Sequence, residues 1–425
     1  MIHFRKATWN DREPLLNLIE EGFAVQDGKE EKNEGIEHRI LFSYLYNQPA
    51  WNPEWLYVAE EDGQLLAAAG YFPQALSFEE IVIPVGAISP VVTAPKYRAL
   101  GLAGKCLDKL MESLKAQGVP LVFLWGLPHY YPKLGFVPIL PRYKTKISLK
   151  ELAEAAYEPA GKFRECGFQD LKSISELYDY NHQKYWLQPI RSLQWWQERF
   201  TEMNTELGFI KEIPFPKKEN FLVWENNSGD LLGYLNYSAE YFNYIRQSGD
   251  QRVVISEAVA IDPMVATAML KSFAAFIKPH QILYIRGTPD HPLNAAAYQL
   301  GGTHLDPAPL AGMVKVIDWL PFLKLLTPLF QKRLVTLNPA REKIYCGWRV
   351  DSSFIEFVMR GDSLKTSVTE SQAAGAVNDG RLLVRLILGV YQPADMEMLD
   401  PARVEYLRVL FPRKYPFIWD ANYLY

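Results

Sequence analysis

The stretch Thr93–Leu107, TAPKYRALGLAGKCL, places Arg98, Gly101, Ala103 and Gly104 where an amphipathic helix begins. Gly costs about 1 kcal/mol against Ala inside a helix, so small residues here point to a close approach by something else. A helix N-terminus offers unpaired N–H groups and partial positive charge, which suits a pyrophosphate, and Arg98 would add a fixed cation at the rim. A tight strand-to-helix turn that binds nothing would use the same residues. A second group with chemical capacity is His129-Tyr130-Tyr131. A phenol can donate a proton, and a histidine can titrate near neutrality, while each can also be an ordinary loop or half-buried residue. The loop EEGFAVQDGKEEKNEGIEHR carries Glu20, Glu21, Asp27, Glu30, Glu31, Glu34 and Glu37, a field that would attract cations or simply be solvated. The tail YPFIWDANYLY puts Tyr415, Phe417, Trp419, Tyr423 and Tyr425 on odd positions, hence on one face of an extended segment, and such a tail is expected to dock.

The elements that must position these residues alternate between strand and helix. IHFRKAT reads as a strand, and DREPLLNLIEEGF as a helix with Leu15, Leu16, Leu18 and Ile19 inward. WLYVAEEDGQLLAAAGYF reads as a hairpin about Asp62-Gly63, and IVIPVGAISPVVTAP as another extended run. A helix is expected over 101–117, with Ala103, Leu107, Leu110 and Leu114 on one face and Gly118 at its end. VPLVFLWG is then a buried strand, and HYYPKLGFVP a short helical turn leading into another. A similar order returns in FLVWENNSGDLLGYLNY, RVVISEAVAIDPMVATAMLKSFAAF and QILYIRGTPDHPLNAAAYQLGG. The interval from Gly63 to Gly135 equals that from Gly229 to Gly301, 72 residues, which points to duplication. After Asp262-Pro263 the second copy lacks the small-residue helix entrance, so a ligand there would bind the first copy only. From about Met313 a third, smaller α+β unit is expected.

The chain has 425 residues, enough for two or three domains, with 48% hydrophobic and 22% charged residues. A net charge of −4 argues against nucleic acid as the main partner. Cys106, Cys166 and Cys346 are scattered and odd in number, which suggests neither a disulfide framework nor a zinc site, and no metal is expected. The apolar run from Met313 is broken by Lys315, Asp318, Pro321 and Lys324, so no membrane span is expected. MIHFRKATWNDREP carries no apolar signal segment, which makes the cytoplasm the expected location.

Arg98-x-x-Gly101-x-Ala103, following VVTAP, resembles the acyl-CoA motif (Arg/Gln-x-x-Gly-x-Gly/Ala) of the GNAT superfamily of N-acetyltransferases. YYPKLGF, Tyr130 to Phe136, is similar to that superfamily's later Tyr-x-x-x-Gly-Phe segment. The whole layout resembles the enhanced intracellular survival (Eis) family. That resemblance implies an α/β and α+β architecture. A GNAT domain over 1–148 would be followed by a degenerate GNAT-like domain over 149–312. A sterol carrier protein-like α+β domain would occupy 313–425, opened by MVKVIDW. It implies acetyl-CoA as cosubstrate, with the strand edge Val91-Val92-Thr93 pairing with the pantetheine arm and a backbone N–H there polarising the thioester. The amides of Arg98, Ala99, Leu100, Gly101, Leu102, Ala103 and Gly104 would hold the pyrophosphate. Tyr131 would be the general acid, with Tyr130 taking that place under a one-residue slip. The terminal carboxylate of Tyr425 would reach the first active site as base, in a family that usually ends in Phe. The acidic loop would border the acceptor pocket, and Asp420 is a similar candidate. A homo-oligomer, a hexamer by resemblance, is implied. The reaction would be N-acetyl transfer by direct attack in a ternary complex. The acceptor would be a primary amine of an aminoglycoside-like or polyamine-like compound, or a lysine side chain. The competing expectations are an acyl donor longer than acetyl, and a non-catalytic CoA-linked sensor or apolar-ligand carrier using the third unit.

Overall fold

The computed structural model describes residues 1–26, 29–30, 32–154, 161–183, 185–202, 218–238, 252–278, 281–335, 343–350, 353–360, 363–369, 380–391 and 401–416. The first half runs β1 (His3–Lys6), α1 (Arg12–Phe23), a small ribbon β2 (Val25–Gln26) and β3 (Lys29–Glu30), α2 (Lys32–Tyr46), β4 (Leu56–Glu61), β5 (Gln64–Phe78) and β6 (Ile81–Thr93). It continues through α3 (Leu102–Ala116), β7 (Leu121–Trp125) and β8 (Val137–Ser148). Asp62 (φ +50°) and Gly63 (φ +80°) make the β4–β5 turn, whose two left-handed residues match the twist of the hairpin. Helix α3 buries Leu107, Leu110 and Leu114 of the expected stripe together with Leu102 and Cys106, while Ala103 is half-buried.

The second half repeats the order. It comprises α4 (Leu149–Glu154), β9 (Lys162–Glu165), α5 (Leu171–His182), β10 (Trp186–Pro189), α6 (Leu193–Glu202), β11 (Phe221–Glu225) and β12 (Leu231–Ser238). Then come β13 (Arg252–Ala260), α7 (Pro263–Phe273), β14 (Ile282–Arg286), α8 (Pro292–Gln299) and β15 (Thr303–Val316). Both halves share one 13-stranded sheet in the order β1-β4-β5-β6-β7-β15-β8-β14-β13-β12-β11-β9, with β10 added on β5. The order is palindromic, and its centre is an exchange: β15 lies against β7, and β8 lies against β14. The halves match down to side chains. Arg5 donates to Asp11 (2.7 and 2.8 Å) and Glu60 (2.7 Å), and Arg164 donates to Asp170 (2.6 and 2.8 Å) and Glu225 (2.7 Å). The glycines at matched intervals share left-handed backbone, with φ +80° and +87° at Gly63 and Gly229, and +84° and +100° at Gly135 and Gly301.

A third region contains α9 (Trp319–Leu334), the antiparallel sheet β16 (Lys343–Val350), β17 (Ser353–Arg360) and β18 (Ser363–Thr369), and helices α10 (Gly380–Ile387) and α11 (Pro401–Leu410). The boundary expected at residue 313 falls inside β15. Met313-Val314-Lys315-Val316 pairs with Leu124 back to Leu121 of β7, so MVKVIDW closes the large sheet before it leads into α9. Phe330, Phe357 and Leu410 of the third region belong to one apolar core with Leu16, Phe42 and Phe78 of the first half. Helix α3 covers the other face of the sheet with its own core. Among the described residues, no helix is long and apolar enough to cross a membrane, and no group of three His, Cys, Asp or Glu could hold a metal.

The second half contains a dry ion pair. Arg191 and Glu257, each 3% exposed, meet through two bonds of 2.8 Å. The Tyr234 hydroxyl donates to the same carboxylate at 2.9 Å, and the guanidinium lies 4.3 Å from the centre of the Tyr178 ring. Removing one partner strands a buried charge, so Glu257→Leu should cost about 3–5 kcal/mol in denaturant unfolding. Glu257→Leu with Arg191→Met should recover part of that loss, and an equal or greater loss in the double variant would show that the pair is not the source.

Candidate active site

Strands β6 and β7 pair in parallel only through Val85↔Leu121, Gly86↔Val122 and Ala87↔Phe123. Beyond Ala87 they part, while β7 stays tied to β15 up to Trp125↔Gly312. On its other side β6 remains paired with β5 to its end, through Ala67↔Thr93. The Ala94 N–H donates to the Leu66 carbonyl at 2.9 Å, which sets the alternation. Val92 therefore also faces β5, and Val91 and Thr93 turn their N–H and C=O groups to the open side. Pro90 has no N–H to offer. The Val91-Val92-Thr93 edge is thus a pair of presenting residues around one structural residue. Val92 is buried against α1 where Gly22 has no side chain, and a Cβ on Gly22 would overlap Val92 Cγ2.

The chain after β6 forms a short 3-10 turn, Pro95–Tyr97, then extends at Arg98 and becomes left-handed at Ala99 (φ +64°) and Gly101 (φ +70°) before α3. Left-handed backbone is uncommon for a residue with a Cβ, so Ala99 holds a strained position. Space does not explain Gly101: a Cβ there would meet nothing within 4 Å, so its φ is the reason for glycine. No side chain caps α3, and the first helical bond to the loop is Lys105 N–H to the Gly101 carbonyl, at 3.1 Å. The N–H groups of Ala99, Leu100, Gly101, Leu102, Ala103 and Gly104 find no acceptor among the described residues. Six free amides on the loop and first turn of a 15-residue helix are suited to an anion. Arg98 is placed differently from the expected rim cation. Its Nη2 donates to the Gly22 carbonyl at 2.6 Å and ties the loop to the end of α1. In the second half the matching helix α7 is closed by its own residue, because Asp262 accepts from the Val265 N–H at 2.8 Å.

After β7 the chain passes Gly126 and enters a 3-10 turn, Tyr131–Leu134. A Cβ on Gly126 would overlap Cε2 of Tyr131, so this glycine exists to let the ring lie on the backbone. Tyr131 is 9% exposed, packs edge-on against Phe136 at 5.7 Å, and its hydroxyl has no hydrogen-bond partner among the described residues. Burial pushes its pKa up and keeps it a phenol. Tyr130 points elsewhere: its hydroxyl would stand 3.7 Å from a Cβ on Gly104, over the first turn of α3. The two rings meet edge-on at 5.1 Å, with Tyr131 on Gly126 at the end of β7 and the Tyr130 hydroxyl over the first turn of α3.

The acidic loop is only partly available. Arg39 bridges α2 to α1 through Glu13 (3.0 Å) and Glu20 (3.4 Å), so Glu20 is neutralised locally. Glu21 is exposed, and Glu34 and Glu37 are half-buried on α2. Asp27 and Glu31 lie outside the described residues. The tail is docked as far as Pro416: the Lys414 N–H donates to the Gly389 carbonyl at 3.1 Å, Pro416 bridges to Trp186, and the Tyr415 ring meets Tyr143 at 5.6 Å. Phe417, Trp419, Asp420, Tyr423 and Tyr425 lie outside the described residues. Gly22 and Gly126 are the residues that sequence reading passed over. Gly126 ends a strand just before two tyrosines, which is a signal, whereas only the packing shows the role of Gly22.

Residues 3–139 match the acetyltransferase (GNAT) domain family. A stretch of 51 residues, 12% of the chain, is 33% identical to the uncharacterized N-acetyltransferase YjhQ of Escherichia coli, and the match spans only 28% of that relative's length. Among solved structures, the GCN5-related N-acetyltransferase from Anabaena variabilis aligns over 98% of this chain and 99% of its own, with a TM-score of 0.69 at 13% identity. Eis1 from Mycobacterium abscessus aligns over 98% and 99%, with a TM-score of 0.63 at 12% identity. At these identities the likeness is one of fold, and it runs the whole length of the chain.

Gly126→Ala gives a sharp test of the tyrosine geometry. The added methyl should displace the Tyr131 ring, and if that ring takes part in acetyl transfer turnover should fall by about tenfold or more. Acetyl-CoA affinity, read by titration calorimetry, should change little. Unchanged turnover would place the Tyr131 ring outside the chemistry.

Proposed function

Residues 3–139 carry a GNAT acetyltransferase domain, and from it we propose that this chain is an acetyl-CoA-dependent N-acetyltransferase acting on the primary amine of a cationic acceptor. The acceptor class is an aminoglycoside-like or polyamine-like compound or a lysine side chain. The observation that carries the proposal is the open edge of β6 leading straight to the six free amides of residues 99–104. The palindromic sheet supports reading the two halves as tandem GNAT-like copies. The Asp262 cap supports the second copy being degenerate, because a carboxylate already occupies the helix terminus an anion would need.

Acetyl-CoA supplies a thioester whose carbonyl an amine can attack. The amides of Ala99 through Gly104 bind its diphosphate, and Arg98 holds their loop in shape. The Val91 and Thr93 backbone groups align the pantetheine arm as an added strand, and one of their N–H groups polarises the carbonyl. Tyr131 delivers its proton to the departing sulfur. A raised phenol pKa alone would make it a poor acid, but the burial that raises it also raises the pKa of a thiol held beside it. The Tyr425 carboxylate takes the proton from the attacking amine. Nine residues beyond Pro416 span at most about 30 Å, and the docked end at Tyr415 rests on β8, the strand beyond β15 from β7. Direct attack is favoured over a cysteinyl intermediate because all three cysteines are buried, and burial pushes Cys106 and Cys166 up to about 12. In the third region Trp348 and Phe411 pack edge-on against Phe357 at 5.5 and 5.7 Å, which favours a filled core over an apolar-ligand carrier.

Tyr131→Phe should lower kcat by about 10²–10⁴-fold and leave acetyl-CoA affinity intact. Normal turnover in that variant would refute the assignment. A short Gly-Ser extension after Tyr425 should also lower turnover and lift the acidic limb of the pH–rate profile, since another group must then deprotonate the amine. An extended enzyme with the native rate and profile would leave the tail as packing only.

A further inference from the structure

The turn that carries Tyr131 is held from outside the first half. It ends at Gly135, whose φ of +84° turns the chain into β8. Lys315 on β15 sends Nζ to the Leu134 carbonyl at 2.9 Å. Its stem lies along Gly135, where a Cβ would stand 3.4 Å from Cε and 3.6 Å from Nζ. The ammonium is 6.0 Å from the centre of the Phe136 ring, and the Phe136 N–H donates to the Tyr131 carbonyl at 3.2 Å. From the third region, Arg381 on α10 donates through Nη2 to the Pro132 carbonyl at 3.0 Å. Lys315 thus satisfies a carbonyl at the end of the turn, where positive charge is favourable, and Arg381 adds a second bond to the Pro132 carbonyl, which already accepts from the Gly135 N–H at 3.3 Å. Meanwhile the Tyr131 hydroxyl has no protein partner among the described residues, so its place is set by this turn and by ring packing.

We propose that Lys315 is a positioning residue for the proton donor, with Arg381 in support. This rests on the reading of Tyr131 as that donor. The exchange of β15 into the first half then has a catalytic consequence. A half whose own helix terminus is capped supplies the side chain that holds the working half's tyrosine in register. Lys315 does not touch the reacting atoms. It acts through the Leu134 carbonyl and the Gly135–Phe136 backbone.

The test is Lys315→Met, which keeps an aliphatic stem and removes the ammonium. We expect kcat to fall roughly ten- to hundredfold while the KM for acetyl-CoA stays within about twofold. Lys315→Arg should restore most of the loss, and in a Tyr131→Phe background Lys315→Met should add nothing. Normal kcat in Lys315→Met, or a full multiplicative loss in the Tyr131→Phe background, would overturn the proposal. Normal kcat in Tyr131→Phe alone would instead sink the reading of Tyr131, so the two failures are distinct. If Lys315→Met fails to fold, the surface variant Arg381→Ala is measured in the same cycle. A kcat loss that vanishes in the Tyr131→Phe background supports the proposal, and an unchanged or independent kcat opposes it.

Discussion

An unpaired strand edge inside a 13-stranded sheet is costly, because backbone N–H and C=O groups away from water must find partners. The parting of β6 from β7 beyond Ala87 creates such an edge, and the rest of the first half can be understood as what keeps it open. At that point β6 carries an extra residue, since its pairing with β5 shifts register between Tyr71↔Ile88 and Ala69↔Val91, and such a bulge bends the strand. On its other side β7 is paired with β15 along its whole length. Gly312 lets that contact be close, since a Cβ there would stand 2.5 Å from Leu140 Cβ and 3.1 Å from Trp125 Nε1. A strand from the second half thus backs the strand that borders the parting in the first.

Each half begins with the same Arg–Asp–Glu clasp, and each lets its central parallel pair end early, at Ala87↔Phe123 and Ile255↔Ile285. In the second half Asp262 caps the helix, and Glu257, two residues beyond the last parallel pair, is held in the buried ion pair with Arg191. In the first half no side chain caps α3. Arg98 turns aside to Gly22, Ala99 accepts a left-handed backbone, and the amides are left facing out. The strain and the unsatisfied donors gather where a ligand would relieve them, as expected of a binding site.

Much of this is legible in residue order. Hairpins at Asp62-Gly63 and Ser228-Gly229, the α3 stripe, and the small residues at its start follow from turn chemistry and periodicity, which are local. The equal intervals between glycines carry over into matching left-handed conformations. The exchange of β8 and β15 is not legible, because strand partners are set by long-range packing and the two strands read alike. That is why Met313–Val316 reads in sequence as the opening of a unit while it pairs with β7 in the large sheet. The side of β6 that Val92 faces depends on register, which spacing alone leaves open. Lys315 shows up in sequence only as a charge interrupting an apolar run, and its partner lies 181 residues away.

The proposed function requires one placement: acetyl-CoA along the parted edge of β6. A crystal structure of the chain grown with acetyl-CoA measures it directly. One molecule per chain is expected, with diphosphate oxygens within hydrogen-bond distance of amides between Ala99 and Gly104. Its thioester should lie against Val91 or Thr93, and its sulfur within reach of the Tyr131 hydroxyl. Density for the cofactor in the second half, or a first-half molecule whose diphosphate avoids the 99–104 loop, would contradict it.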